Sequence, residues 1–141
     1  MINILKKQKG KFEPGDFETK VKRSIAGLGL FAGKEIPKGA CIIEYIGRTI
    51  SKKEEYSINS KYLFEVSSKR TIDGKPRTNR AGYINHSCRP NAEIEICKGR
   101  IFIMAKKNIP AGEEIFYDYG KEYWKEYIGP KKCRCVKCSS R

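Results

Sequence analysis

His86 is the only histidine in the 141 residues of this chain. One histidine cannot build a histidine-rich metal centre, and no carboxylate stands in an obvious place to complete a hydrolytic triad with it. Long apolar runs are also missing: none approaches the roughly 20 residues that a membrane-spanning helix requires. The opening MINILKKQKGKF has too few apolar residues ahead of its lysines for a secretory signal. The expectation is a soluble, intracellular chain, in cytoplasm or nucleus, with no membrane partner. Acidic residues are scarce as well. Sixteen Asp and Glu face thirty Lys and Arg, a net charge of +14, and seven basic residues lie before Ser24 and seven after Gly120. Basic ends suit an acidic partner such as nucleic acid or a nucleoprotein particle, or simply a solvated surface. Charge predicts company, not chemistry.

Six cysteines are present, at 41, 88, 97, 133, 135 and 138. Thiols stay reduced inside cells, so a disulfide framework is not expected. The clustering of Cys133, Cys135 and Cys138 instead points to thiolate ligands for a metal. Cys41 and Cys97 fall within strand-like runs and are expected to be small core or surface residues.

The chain reads as one mainly β domain. Residues 1–22 are polar, basic and weakly periodic, a lead-in with one short element. LFA and ACIIEYIG, separated by the turn-like Ile36-Pro37-Lys38-Gly39, carry the β-branched, apolar signature of strands. Ser51–Ser60 suits a helical turn or two, KYLFEVS a strand, and Thr71–Arg80 a loop around Asp73-Gly74. AEIEICKGRIFIMA reads as a hairpin about Lys98-Gly99. EIFYDYG reads as a further strand, and KEYWKEYIG as a short helix stopped by Pro130. Ile36-Pro37, Gly39, Ile42 and Gly47 recur 73 residues later as Ile109-Pro110, Gly112, Ile115 and Gly120. Two copies are too few for a solenoid, and the same turn chemistry used twice accounts for them.

Chemistry concentrates in RAGYINHSCRPN, residues 80–91, where Asn85, His86, Ser87, Cys88 and Asn91 gather ahead of a strand. This segment resembles the Asn-His-Ser-Cys motif of SET-domain lysine methyltransferases. SIAGLGLFA and IIEYIG before it and GEEIFYDYG after it follow in that family's order, and CRCVKC resembles its post-SET zinc segment. Together they span Ser24 to Cys138. The resemblance implies a basic lead-in at 1–22, a SET domain over 23–120 and a post-SET-like zinc tail over 121–141. It also implies a fold of small sheets and few short helices with a knot-like C-terminal crossing, a rare topology.

The same resemblance implies the site. Gly27-Leu28-Gly29 would lie along the methionyl part of S-adenosylmethionine, with backbone unobstructed by Cβ atoms. Asn85 and His86 would bind that cofactor, partly through main-chain groups, and Tyr62 would touch it. Tyr119 would stand beside the transferred methyl, Tyr45 would line the same place, and Tyr117 would govern how many methyls are added. Methyl transfer to lysine needs alignment of a neutral amine with the methyl. The free amine has a pKa near about 10.4 and must lose its proton in an apolar, aromatic channel. Tyr45, Tyr117, Tyr119, Tyr123 and Trp124 are candidates for its walls. Cys88 would join Cys133, Cys135 and Cys138 around a structural Zn2+. A tyrosine rather than phenylalanine at 117 leads to an expectation of mainly monomethyl product.

Three departures from the family pattern stand out. Gly82 sits where many members carry Arg, Arg89 where an acidic residue is common, and the final cysteines follow C-x-C-x2-C rather than C-x-C-x4-C. The residues before Ser24 hold no cysteine, so no cysteine-rich pre-SET module is expected among them. The substrate expected is a lysine-containing protein: a histone, a histone-like protein or a ribosomal protein. The competing readings are a zinc-stabilised, basic nucleic-acid-binding module, which leaves NHSC and YDYG without a role, and an inactive SET relic that binds peptide.

Overall fold

The computed structural model describes residues 10–25, 27–58 and 60–120. They form β1 (Thr19–Ser24), β2 (Gly27–Ala32), β3 (Cys41–Tyr45), β4 (Arg48–Ile50), the one-turn helix α1 (Lys52–Glu55), β5 (Leu63–Ser67) and β6 (Arg70–Asp73). A 3-10 turn (Arg80–Tyr83), β7 (Asn85–His86), β8 (Ala92–Cys97), β9 (Arg100–Ala105) and β10 (Phe116–Tyr117) follow. Four small sheets result: β1-β2, β3-β9-β8, β4-β6-β5 and a two-strand parallel pair of β7 with β10. The mainly β expectation holds.

The β8–β9 hairpin turns at Lys98-Gly99, both with positive φ, 50° and 75°, the backbone that a two-residue hairpin with right-twisted strands demands. Along β8, Glu93 and Glu95 alternate with Ile94 and Ile96 across a half-wet ribbon. Along β9, Ile101 to Ala105 are all buried. β9 is the middle strand and both its faces are covered, so its sequence is continuously apolar. Ile101, Ile103 and Ala105 enter the main core with Leu30, Ile36, Ile84, Ile109 and Ile115. Phe102 and Met104 face the other way, packing with Cys41 and Phe12, and the Phe12 and Phe102 rings lie 5.2 Å apart.

Two expectations need correction. Residues 71–73 are not loop: they belong to β6, the central strand that pairs with both β4 and β5. Three residues carry too little pattern to show a strand, and Asp73-Gly74 draws the eye to the turn. Asp73 is the strand's last residue, its carboxylate accepting from the Lys75 N–H at 3.1 Å to begin that turn. EIFYDYG contributes only two strand residues, Phe116 and Tyr117. Asn91 takes the neighbouring backbone instead: its amide donates to the Glu114 carbonyl and accepts from the Phe116 N–H, both at 2.8 Å.

The repeated Ile-Pro-x-Gly turns meet in space. Ile36 and Ile109 exchange backbone hydrogen bonds of 2.9 and 2.8 Å, and both side chains are fully buried. Each turn closes identically, Ala40 N–H on Pro37 O and Glu113 N–H on Pro110 O at 3.1 Å. Gly39 and Gly112 hold φ of 87° and 88°, as a type II turn requires at its third residue. The second turn aims Glu114 to Tyr119 back across the NHSC segment.

Candidate active site

Parallel pairing sets Phe116 beside Asn85 and Tyr117 beside His86, and Ser87 N–H extends the ladder to the Tyr117 carbonyl at 3.1 Å. His86 is buried beneath it. The Tyr119 N–H donates to its Nδ1 at 3.1 Å, so the ring hydrogen of the neutral imidazole resides on Nε2. Nε2 lies 3.2 Å from Cys88 Sγ. Burial pushes the His86 pKa below its ordinary value, and Asp118, with a carboxylate oxygen 3.7 Å from Nδ1, only partly opposes this. His86 is thus a neutral brace between the Tyr119 backbone and Cys88, with its side chain turned away from the cavity described below.

The three expected tyrosines converge. Tyr45 and Tyr117 are 4% and 7% exposed. Tyr45 donates its hydroxyl hydrogen to the Tyr62 carbonyl at 2.7 Å, and its ring leans on Phe64 at 5.4 Å. Tyr119 donates its hydroxyl hydrogen to the Ile84 carbonyl, and its ring lies 4.9 Å from Tyr117 and 5.4 Å from His86. With its hydrogen engaged, each phenolic oxygen retains acceptor lone pairs.

Gly27, Leu28 and Gly29 divide their tasks. Gly27 has φ +99°, backbone that L side chains rarely adopt, with open space where a Cβ would stand. A Cβ on Gly29 would meet the Glu114 carboxylate at 2.3 Å, so Gly29 is there to let Glu114 in. Leu28, 51% exposed, turns its carbonyl to the Asn85 amide at 3.0 Å.

Two cavities meet at the tyrosines. One, of ≈ 300 Å³, is bordered by Gly27, Leu28, Tyr62, Gly82, Tyr83 and Asn85. The other, of ≈ 160 Å³, is bordered by Leu63, Phe64 and Glu65. Tyr45, Lys61, Tyr117 and Tyr119 border both. Of the residues expected to contact a cofactor, Gly27, Leu28, Tyr62 and Asn85 reach the larger cavity, whereas Gly29 and the His86 ring do not.

Of the expected metal ligands, Cys88 lies within the described residues. Cys133, Cys135 and Cys138 lie outside them, as do Tyr123 and Trp124. Among the described residues no group of three or more His, Cys, Asp or Glu side chains is placed to hold a metal ion. Cys41 and Cys97 stand in β3 and β9's partner β8, away from this region.

Three residues of the site escape a reading by motif. Glu114 accepts from the Ser24 hydroxyl at 2.7 Å and from the Asn85 amide at 2.9 Å, joining the glycine turn to NHSC. Its signal is the second Glu of GEEI, an unremarkable surface residue until the fold brings Asn85 beside it. Asn79, 2% exposed, accepts from the Ile46 N–H and donates to the Gly74 carbonyl, both at 3.0 Å. Lys61 looks like one lysine among many.

Comparison with known proteins agrees with this geometry. The SET domain family matches residues 27–120. Histone-lysine N-methyltransferase trr of Drosophila melanogaster is 39% identical over 110 residues, 70% of this chain and 4% of its own length. Histone-lysine N-methyltransferase set-2 of Caenorhabditis elegans is 39% identical over 127 residues, 78% of this chain and 8% of its own. The crystal structure of KRYPTONITE in complex with mCHH DNA, H3(1-15) peptide and SAH superposes with a TM-score of 0.65 at 31% identity, covering 74% of this chain and 24% of that one. This chain therefore spans a small part of the length of these relatives. Fold, motif order and sequence agree, and the chain belongs to the SET-domain family.

Proposed function

We propose that this chain is a protein-lysine N-methyltransferase domain that moves a methyl group from S-adenosylmethionine to a lysine side-chain amine. The observation that carries the reading is the wall of Tyr45, Tyr117 and Tyr119 common to two cavities. A reaction between two separately bound molecules needs such a junction, where donor and acceptor meet in one geometry.

The residues of the larger cavity fit the cofactor. Gly27 leaves backbone uncovered, Tyr62 and Tyr83 offer aromatic faces, and Asn85 offers a carboxamide oxygen. When bound, S-adenosylmethionine supplies a methyl on a sulfonium, a good leaving group. The chain's own residues do the rest. Leu63, Phe64 and the tyrosine rings give the incoming lysine apolar surface and Lys61 adds a like charge, while the Glu65 carboxylate is paired with Lys52 at 3.0 Å. Burial and like charge disfavour the ammonium form, and the proton is released to solvent before attack. The Tyr119 and Tyr45 oxygens, their hydrogens held by Ile84 and Tyr62, present lone pairs that polarise and orient the methyl without forming a covalent bond.

Finer points belong to the same reading. The relatives' names and the H3 peptide held by KRYPTONITE support a histone tail as substrate, with histone-like and ribosomal proteins next. The basic ends suit a nucleoprotein setting, hence an intracellular one. Cys88, with Cys133, Cys135 and Cys138, supplies the four thiolates that a structural Zn2+ takes, and Tyr117 suits a mainly monomethyl product. Incubation with methyl-labelled cofactor and a panel of histone, histone-like and ribosomal proteins tests the reading. Label on lysine supports it. Absence of label with no binding of S-adenosylhomocysteine overturns it.

A further inference from the structure

The larger cavity has a lopsided chemistry. Apart from Lys61, the described residues that border it are glycine, leucine, tyrosine and asparagine, so Lys61 is the only one with a formal charge. It stands immediately before Tyr62, with its Nζ 5.3 Å from the Tyr62 ring centroid. Gly82, on the same cavity, contributes no side chain from its position. The Asn85 amide nitrogen is committed to Leu28 and Glu114, so what Asn85 offers a ligand is an acceptor oxygen.

We infer that Lys61 is the binding residue for the carboxylate of the cofactor's amino-acid moiety. The inference rests on the larger cavity being the cofactor's. S-adenosylmethionine brings three charged groups: a sulfonium, an ammonium and a carboxylate. An ammonium side chain repels the first two and attracts the third. The Asn85 oxygen, which can only accept, suits the ligand's ammonium. A carboxylate entering a cavity of phenolic and apolar groups without a cation would lose its water uncompensated. Lys61, an exposed, long side chain that borders this cavity as well as the smaller one, supplies that cation.

Titration calorimetry of the full chain with two ligands tests this: S-adenosylhomocysteine and its decarboxylated analogue, which differ only in the carboxylate. A hydrogen bond between charged groups predicts that Lys61→Met weakens S-adenosylhomocysteine binding about ten- to a hundredfold. The parent should show a similar loss on moving to the decarboxylated ligand. Lys61→Met should show no further loss there, and Lys61→Arg should retain most of the affinity. Equal weakening of both ligands by Lys61→Met, or undiminished affinity for S-adenosylhomocysteine, overturns the inference while leaving the cofactor assignment standing. A folded parent that binds neither ligand overturns the cofactor assignment, and the inference with it.

Discussion

The Asn85 amide nitrogen lies 2.9 Å from a Glu114 carboxylate oxygen and 3.0 Å from the Leu28 carbonyl. Both neighbours only accept, so the orientation of the carboxamide is settled: nitrogen toward Glu114, oxygen toward the remaining side. Glu114 thereby sets which way the Asn85 carboxamide faces a ligand. Its other oxygen holds the Ser24 hydroxyl at 2.7 Å, so the same carboxylate anchors the start of that turn.

Replacing Glu114 with Ala frees the Asn85 amide to rotate and the glycine turn to drift. We expect the KM and Kd for the cofactor to rise about tenfold, from the loss of charge-assisted hydrogen bonds, with kcat at saturating cofactor changed far less. Glu114→Gln keeps an acceptor for Asn85 and should restore most of the affinity. A kcat that falls as far as the affinity in Glu114→Ala would show that the role is not one of positioning the cofactor.

Tyr119 is the sharper test of the chemistry. Tyr119→Phe removes the phenolic oxygen while keeping the ring against Tyr117 and His86, and its backbone N–H still donates to His86. Methyl transfer should fall by orders of magnitude with cofactor affinity nearly unchanged. Rapid-quench measurement of single-turnover rates reads this directly, and a parental rate removes Tyr119 from the catalytic set.

Much of this was legible in the residues because the motif segments are local. Asn85-His86 and Phe116-Tyr117 are each contiguous, and their types announce chemistry before any fold is known. What was not legible depends on distant pairs. Glu114 gains meaning only when Asn85 and Ser24 arrive beside it from 29 and 90 residues away. Gly29 looks like a ligand-facing glycine from its place in GLG, yet the space it leaves belongs to a carboxylate. The His86 ring is a buried brace because it accepts from the Tyr119 N–H, a partner 33 residues away. β6 is missed because a four-residue run shows no period; its strand state comes from the partners on both sides.

Cys41 gives a test of the fold that is independent of catalysis. Burial, helped by Glu44 and Glu95, pushes its thiol from 9.0 up to about 11. A folded-state pKa above the unfolded one means that the neutral thiol's contribution is complete below pH about 9 and is lost as pH rises toward 11. Urea midpoints should therefore decline more steeply between pH 9 and 11 in the parent than in Cys41→Ala. Parallel declines would show that Cys41 titrates as it does in the unfolded chain.

A second test concerns the proposed zinc. Elemental analysis of the full chain should give close to one zinc per molecule, and Cys88→Ser should lower that content sharply. Because ligands and metal fold together, chelation should abolish methyl transfer. A metal-free preparation that turns over at the full rate excludes a structural role for zinc.

Tyr117 should set how many methyl groups are added. It is buried, its ring lies 4.9 Å from Tyr119 and it borders both cavities, the junction where, in the proposed reaction, an amine turns to take a second methyl. A hydroxyl there can hold a water or bond near the amine, and either one obstructs rotation of a lysine that already carries a methyl. Phenylalanine offers neither, and the vacated space admits the rotated, methylated amine. Tyr117→Phe should therefore shift the product from mainly monomethyl-lysine toward dimethyl-lysine with the first transfer little slowed. Mass spectrometry of reactions run to completion separates the cases by steps of one methyl group. Predominant trimethyl-lysine from the parent would rule out this role for Tyr117, and so would identical product ratios from parent and variant.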